Sequence, residues 1–557
     1  MLPDTVLSFQ DAAVNVRLYN GSQSQSFLLT GNAGEDQFMQ NRYTRYRLSS
    51  DGVRLWAQPE EDVRTQRFKI RRYSDDTVSI QSVLTGYVLT FNHQTPTMEV
   101  LVAGNLNQRF RLVTQGDGSI GIRRHRWARF EATVDRFTAM YRLGTRYPLM
   151  NRQPTGFYAP KNKAFRVVVV HTDTPPIAMN LFVGAPYADT DTQYSQQRTY
   201  PLRVGINTIT DPGGGIIYFQ LANEINTANV IILGAQELPY FEHGNTSTAV
   251  YHAMLDARPT PYVELYSARV VLTVDRASAH TYKNSDLPGL MATYERIIDV
   301  QETLLGLDKA EELHAPAPLK YHLVLGNHGG AGSAHATTGY TAYNMAYART
   351  LLAPEPLKAE WGVPHEIGHQ NQMRAYLPAD FGEVTNNLSA MATQRVFGVR
   401  SNLTYPGANG KDTWDNALEK QAMADLDITQ LSAFERLAAL EQLRLGFGDA
   451  FWSRLNRIAR EHGPWSATPS RAQSFDNLAL FGSMAAGADL RVFVRAWGMP
   501  LSTAADRQIA EMRLPAPPAN LLTLREPRAG ASASCMPEKE PECGTELPGD
   551  TSLVDDT

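Results

Sequence analysis

Cysteine is nearly absent from this chain: two thiols, Cys535 and Cys543, occur in 557 residues. Both lie in the last stretch, so disulfides do not hold the body of the fold. Joined to each other they would close a small tail loop, and such a short pair does not fix a redox compartment. Long apolar runs are lacking too. No stretch approaches the ~18–20 residues that a helical membrane span requires. Neither charge sign dominates, with 52 Lys and Arg against 57 Asp and Glu and a formal net charge of -5. That balance argues against whole-surface attraction to nucleic acid or anionic lipid. The opening MLPDTVLSFQ has neither the basic nor the apolar region of a signal peptide, and Met1 is expected to replace a removed leader.

What is present is an ordinary globular composition, 43% hydrophobic and 20% charged with 40 Gly and 32 Pro, long enough for three or four domains of ~150 residues. The N-terminal part repeats itself. Gln25-Ser26-Phe27, Gln66-Arg67-Phe68 and Gln108-Arg109-Phe110 recur at spacings of 41 and 42 residues. This threefold strand pattern resembles the ricin-type β-trefoil, with Gln and Phe expected to pin turns and core rather than to touch sugar. From 126 to 255 the pattern stays β, as in Phe165 to Val170 and Ile216 to Leu221, and is read as a β-sandwich. The period then changes. Leu290, Tyr294, Ile297 and Ile298 mark one helix face, a strand at Leu319 to Leu325 runs into the glycine-rich segment from Gly326, and helical spacing dominates 364–398 and 415–512. The tail from 514, rich in Pro, Glu, Ser and Asp, is expected to be loosely ordered.

The chemistry concentrates in His365-Glu366-Ile367-Gly368-His369. Pro364 suits the first turn of a helix, and histidines four residues apart stack on one helix face, close enough to share one Zn²⁺. Glu366 lies off the ligand axis, where a general base belongs. A catalytic zinc needs a third protein ligand, and Glu383, 14 residues downstream, is the candidate, expected to begin a second helix. Asn387, one turn on, is placed to bond a histidine's outer nitrogen. Gly368 costs ~1 kcal/mol in mid-helix and points to close approach by another segment.

The joint pattern His365-Glu366-Ile367-Gly368-His369-Gln370 and Gly382-Glu383-Val384-Thr385-Asn386-Asn387 resembles the enhancin-like M60 zinc metallopeptidases that attack mucins and O-glycoproteins. The likeness extends over about residues 130–510, from Thr155-Gly156-Phe157-Tyr158-Ala159-Pro160 to Trp497-Gly498-Met499-Pro500-Leu501. It implies His365, His369 and Glu383 as ligands of one zinc ion and Glu366 as general base. It also implies that the stretch His335 to Asn344 takes up substrate backbone by strand addition. Tyr340, Tyr343, Trp361 and Asn386 are candidate substrate contacts, and His328 and His335 candidate oxyanion donors.

The expectation is therefore a multidomain α+β chain: a β-trefoil-like module at 1–125, a β-sandwich accessory domain at 126–255, a mainly α-helical zincin-type catalytic domain at 256–513, and a tail at 514–557. The expected function is a secreted zinc endopeptidase acting on O-glycosylated, mucin-like proteins, with host or environmental glycans as partners, no nucleic acid and no membrane span. Two readings compete: a glycan-binding adhesin on an inactive protease scaffold, and a general metalloprotease without a glycan requirement. The oligomeric state is left open.

Overall fold

The computed structural model describes residues 5–528 apart from residue 11 and the stretches 19–22, 32–35, 74–76, 93–94, 103–104, 115–117, 125–126, 173–177, 187–196, 223–226 and 327–333. His328, most of the glycine-rich loop, Cys535 and Cys543 lie outside the described residues.

The N-terminal region is β-rich, with twelve strands from Thr5–Gln10 to Ile120–Arg124 joined in one sheet. Each repeat glutamine closes a 3-10 turn, and the aromatic two residues later opens the next strand. The Gln66 side chain accepts from the Glu61 N–H (2.9 Å) and donates to the Pro59 carbonyl (2.8 Å). Gln108 does the same with Val102 and Val100. Such buried amides fix a loop while leaving few polar atoms unpaired. Phe27, Phe68 and Phe110 meet in one core with Leu48, Ile80 and Phe91. The repeat residues are structural pins.

Two sheets follow, one ordered 127–131, 227–233, 164–172, 205–210 and the other 198–202, 179–183, 215–221, 153–159, 236–237. Alternation along the strands makes the sandwich: Phe165, Val167, Phe219 and Leu221 face one another across its core. The second sheet is apolar on both faces. Its outer residues Phe182, Ile216 and Tyr218 pack on Val271, Val324, Tyr340 and Ala342 of a six-stranded sheet. That mixed sheet runs 240–242, 262–266, 270–275, 321–325, 340–343, 334–337. Its other face, with Leu272, Leu323, Leu325 and Tyr343, carries the helix Leu287–Leu304 and, through Val363 and Ile367, the helix Gly362–Asn371.

Three expectations change. The passage from sandwich to the next layer falls near residue 239, not 255, because Tyr240–Glu242 pairs parallel with 262–266. The stretch His335 to Asn344 is a hairpin, Ala334–Thr337 against Tyr340–Tyr343, turned at Gly339 with φ +85°. The segment 514–528 is packed: Leu521 is buried in the helical core beside Trp414 and Trp497, and Arg525 pairs with Asp412 and Asp415. An apolar anchor and paired cations hold this piece against its loose composition.

One carboxyl is sealed between sandwich and sheet. Glu264 accepts from the hydroxyls of Tyr218 (2.6 Å), Tyr266 and Thr273 (3.2 Å), and Thr273 also meets Nε2 of His322 at 2.9 Å. Burial pushes the Glu264 carboxyl up to about 7 in spite of those donors. A folded-state value above the unfolded 4.5 means the stability contribution is full below that pH and is lost as pH rises through 7. Glu264→Gln cannot ionise, so the difference in Tm, variant minus parent, should grow from pH 5 to pH 8. A difference that stays constant over that range would show that Glu264 does not titrate there.

Candidate metal centre

The helix Gly362–Asn371 starts two residues earlier than Pro364, which sits in its first turn; the Pro364 carbonyl accepts from the Gln301 side chain (3.0 Å). His365 and His369 lie on one face, edge to face, with ring centroids 4.9 Å apart at 85°. Glu383 does not begin the second helix. That helix is Asn387–Val396, and residues 382–386 form turns before it. The turn crosses the metal-binding helix at Gly368, where an added Cβ would lie 2.4 Å from the Asn386 carbonyl oxygen. Only glycine lets the two segments meet so closely.

Glu383 Oε2 lies 3.3 Å from Nε2 of each histidine. A tetrahedron with ligand distances of ~2.0–2.1 Å has edges of about 3.3 Å, and both Glu383–histidine separations match that value. Glu366 belongs to the compact His365, Glu366, His369 group, but its Oε1 is 3.9 Å from His365 Nε2. Glu383 therefore lies closer to both imidazole Nε2 atoms than Glu366 Oε1 lies to that of His365. Glu366 is 6% exposed, and its Oε2 is buried without a hydrogen-bond partner. Burial, then the charge of Glu383, pushes its carboxyl up to about 8.

Proton positions on the histidines are set by two side-chain amides. Asn387 Nδ2 donates to the Glu383 carbonyl (2.9 Å), so its Oδ1 must accept from His365 Nδ1–H at 2.6 Å. Gln372 Nε2 donates to the Gly382 carbonyl (2.9 Å) and to Thr385 Oγ1 (2.8 Å), so its Oε1 accepts from His369 Nδ1–H at 3.0 Å. Both rings then present an Nε2 lone pair, the form that binds metal. Asn386 Nδ2 lies over the pair, 3.1 Å from both ring nitrogens of His365 and 3.0 Å from His369 Nε2, while its Oδ1 is buried without a partner. A cation at the same point competes with this amide. Burial also lowers the His369 pKa, favouring the neutral ring.

Arg146 reaches the centre from the segment between two sandwich strands, donating to Gln372 Oε1 (2.6 Å) with its Nη1 also 3.3 Å from His369 Nδ1. The segment is held by backbone bonds from Arg374 to Gly144 and from Tyr147 to Gln370. Gln372 and Arg146 were not expected from sequence. For Gln372 a signal existed, an amide three residues after a ligand; Arg146 had none. Among the substrate candidates, Tyr343 is corrected: it is fully buried on the helix side of the sheet, its hydroxyl directed at the Val363 carbonyl. Trp361 caps the metal-binding helix and stacks on Phe434 at 5.5 Å. Asn386 is buried over the histidines. Tyr340 faces the sandwich, edge-on to His335 at 6.1 Å.

Two imidazoles on one helix face with the carboxyls of Glu383 and Glu366 beside them, set against a mixed sheet, form a candidate metal centre of the metallopeptidase type. Family comparison agrees: residues 234–498 match the family "Peptidase M60, enhancin and enhancin-like", and residues 132–232 match the N-terminal domain of M60-like peptidases. The chain belongs to the M60 peptidase family. A TRPM8 channel-associated factor homolog of Danio rerio is 23% identical over 327 residues, 56% of this chain and 34% of the relative; the chain thus spans about a third of the length of the curated relatives it matches. Two solved structures share the fold. A functionally unknown conserved protein of Bacillus anthracis is 23% identical with a TM-score of 0.64, over 71% of this chain and 80% of that one. The M60 catalytic domain of Clostridium perfringens ZmpC, solved with the sialyl T antigen, is 19% identical with a TM-score of 0.58, over 72% and 81%.

The geometry separates ligands from their supports. In metal analysis of purified protein, His365→Ala, His369→Ala and Glu383→Ala should each lose most bound zinc. Gly368→Ala, which touches no ligand but forces the Asn386 turn away, should weaken zinc binding at least tenfold. Undiminished zinc in Glu383→Ala would remove that residue from the ligand set.

Proposed function

We propose that this chain is a secreted zinc endopeptidase hydrolysing peptide bonds in mucin-like, O-glycosylated proteins. The observation that carries the reading is the unpartnered, buried Oε2 of Glu366 beside two histidines fixed in one tautomer. Zinc, when bound by His365, His369 and Glu383, supplies Lewis acidity toward water and the peptide carbonyl. Glu366 takes a proton from the attacking water at its free carboxyl oxygen and gives it to the departing amine. Burial raises the proton affinity of the Glu366 carboxyl, which suits it to accept a proton and hand it on.

Substrate backbone pairs with Ala334–Thr337, the end strand of its sheet. Main-chain bonds of this kind bind extended peptide with little regard to sequence, which leaves selectivity to substituents on the substrate. The glycan preference rests on the family and on the bound antigen of the ZmpC structure. We read the region 1–125 as a β-trefoil and carbohydrate-binding candidate, and 126–255 and 256–513 as accessory and catalytic domains, with the boundary moved to about 239. The curated relatives, named for association with a channel, favour as second reading an inactive scaffold used for binding. The intact His365, Glu366, His369 and Glu383 set weighs against it.

One digestion separates these readings. A mucin-type glycoprotein, with and without enzymatic removal of its O-glycans, is treated with parent and with Glu366→Gln, and fragment termini are read by mass spectrometry. The parent should cut only the glycosylated form, and Glu366→Gln should retain zinc and fold yet be at least a hundredfold slower. Equal cutting of both forms would remove the glycan requirement, and Glu366→Gln within tenfold of the parent would remove the proposed base.

A further inference from the structure

The six-stranded sheet has the metal centre on one face and a basic cavity on the other. This cavity, about 350 Å³, lies between sandwich and hairpin, and its walls include Arg136, Asn151, Arg152, Thr337, Gly339 and Tyr340. Neither guanidinium has a carboxylate partner at ion-pair distance among the described residues. Arg152 lies over the Phe182 ring at 4.0 Å and Arg136 over Phe137 at 5.0 Å. The neighbouring Asp135 is engaged in capping a helix through the N–H groups of Phe137 and Thr138. Gly339 keeps the turn clear of Arg136, whose Nη1 would be 3.1 Å from an added Cβ. Burial, then the charge of Arg136, pushes Arg152 down to about 10. Asp135 offsets the charge of Arg136 only in part, and two half-buried like charges with no carboxylate at ion-pair distance among the described residues are the arrangement that an anion relieves.

The register of the hairpin links this cavity to the peptide edge. Ala334 pairs with Tyr343, and both pack toward the helices. Thr337 pairs with Tyr340, and both line the cavity. A peptide added along that edge alternates in the same way, one side chain toward the metal face and the next toward the cavity. The volume exceeds what a lone carboxylate fills, and it falls in the range of small-ligand pockets. The amide of Asn151 and hydroxyls of Thr337 and Thr338 offer partners for sugar hydroxyls.

We propose that Arg136 and Arg152 form a subsite for a carboxylate-bearing sugar, carried on a substrate residue whose side chain points to the sandwich face. The identity of the ligand rests on the peptidase reading, but its binding does not require cleavage. The test is therefore calorimetric titration of the full chain carrying Glu366→Gln, at constant ionic strength. The probes are the methyl α-glycosides of N-acetylneuraminic acid, which is acidic, and of N-acetylgalactosamine, which is neutral, and sodium sulfate.

The acidic glycoside should bind at least tenfold more tightly than sulfate. Arg152→Gln and Arg136→Gln should each weaken it tenfold or more at unchanged Tm, with Arg152→Lys retaining part of the affinity and the neutral glycoside unaffected by any of them. Sulfate binding as tightly as the acidic sugar would overturn the sugar assignment. Absence of acidic-glycoside binding to the Glu366→Gln chain, or binding indifferent to both arginines, would overturn the subsite altogether. If the glycoprotein digestion fails while this binding holds, the peptidase reading falls and the subsite stands.

Discussion

Two side-chain amides decide where the protons of the metal-binding histidines sit, and much of the catalytic region exists to hold those amides. An imidazole binds a cation only through a bare nitrogen, and its tautomer is set by what the other nitrogen meets. Asn387 and Gln372 each spend their N–H groups on oxygens of the 382–386 turn and its surroundings. Their carbonyl oxygens are thereby committed to His365 and His369. The same turn supplies Glu383. One short, non-repetitive segment thus delivers the third ligand and orients the other two.

That segment can lie where it does only because Gly368 has no side chain, and because the helix beneath is fixed by Val363 and Ile367 on the sheet. The sheet in turn is clamped from behind by the sandwich through Tyr218, Phe182 and the buried Glu264 network. Arg146 shows that the connection is more than a support: a residue from between two sandwich strands donates to Gln372, which positions His369. The sandwich and the metal centre are therefore one mechanical unit. The hairpin edge lies between them, with a face toward each.

What could be read from sequence was what short-range spacing encodes. The i, i+4 histidines, the cost of Gly368 and the offset of Glu366 follow from helical geometry, and the Gln and Phe pins follow from repetition; Asn387 meets His365 as expected, but from the first residue of a helix that Glu383 precedes. Long-range order was not legible. The parallel pairing of 240–242 with 262–266 joins segments whose local pattern is merely β, so the boundary near 239 was placed too late. The hairpin at 334–343 was read as one strand because Thr338-Gly339 is a weak turn signal beside the tyrosines. Tyr343 and Tyr340 look equivalent in sequence, yet strand alternation sends one into the helical core and the other to the cavity. Arg146 acts across 223 residues, a distance over which no local pattern carries information.

The fold itself, through Asn387 and Gln372, fixes both histidines as Nδ1–H tautomers. Nitrogen-15 NMR of chain labelled in histidine, with His365→Gln and His369→Gln variants for assignment, reads this directly in metal-free protein near pH 8. Protonated Nδ1 and unprotonated Nε2 are expected for His365 and His369 alike. Protonation at Nε2, or rapid exchange between the two tautomers in either ring, would contradict this.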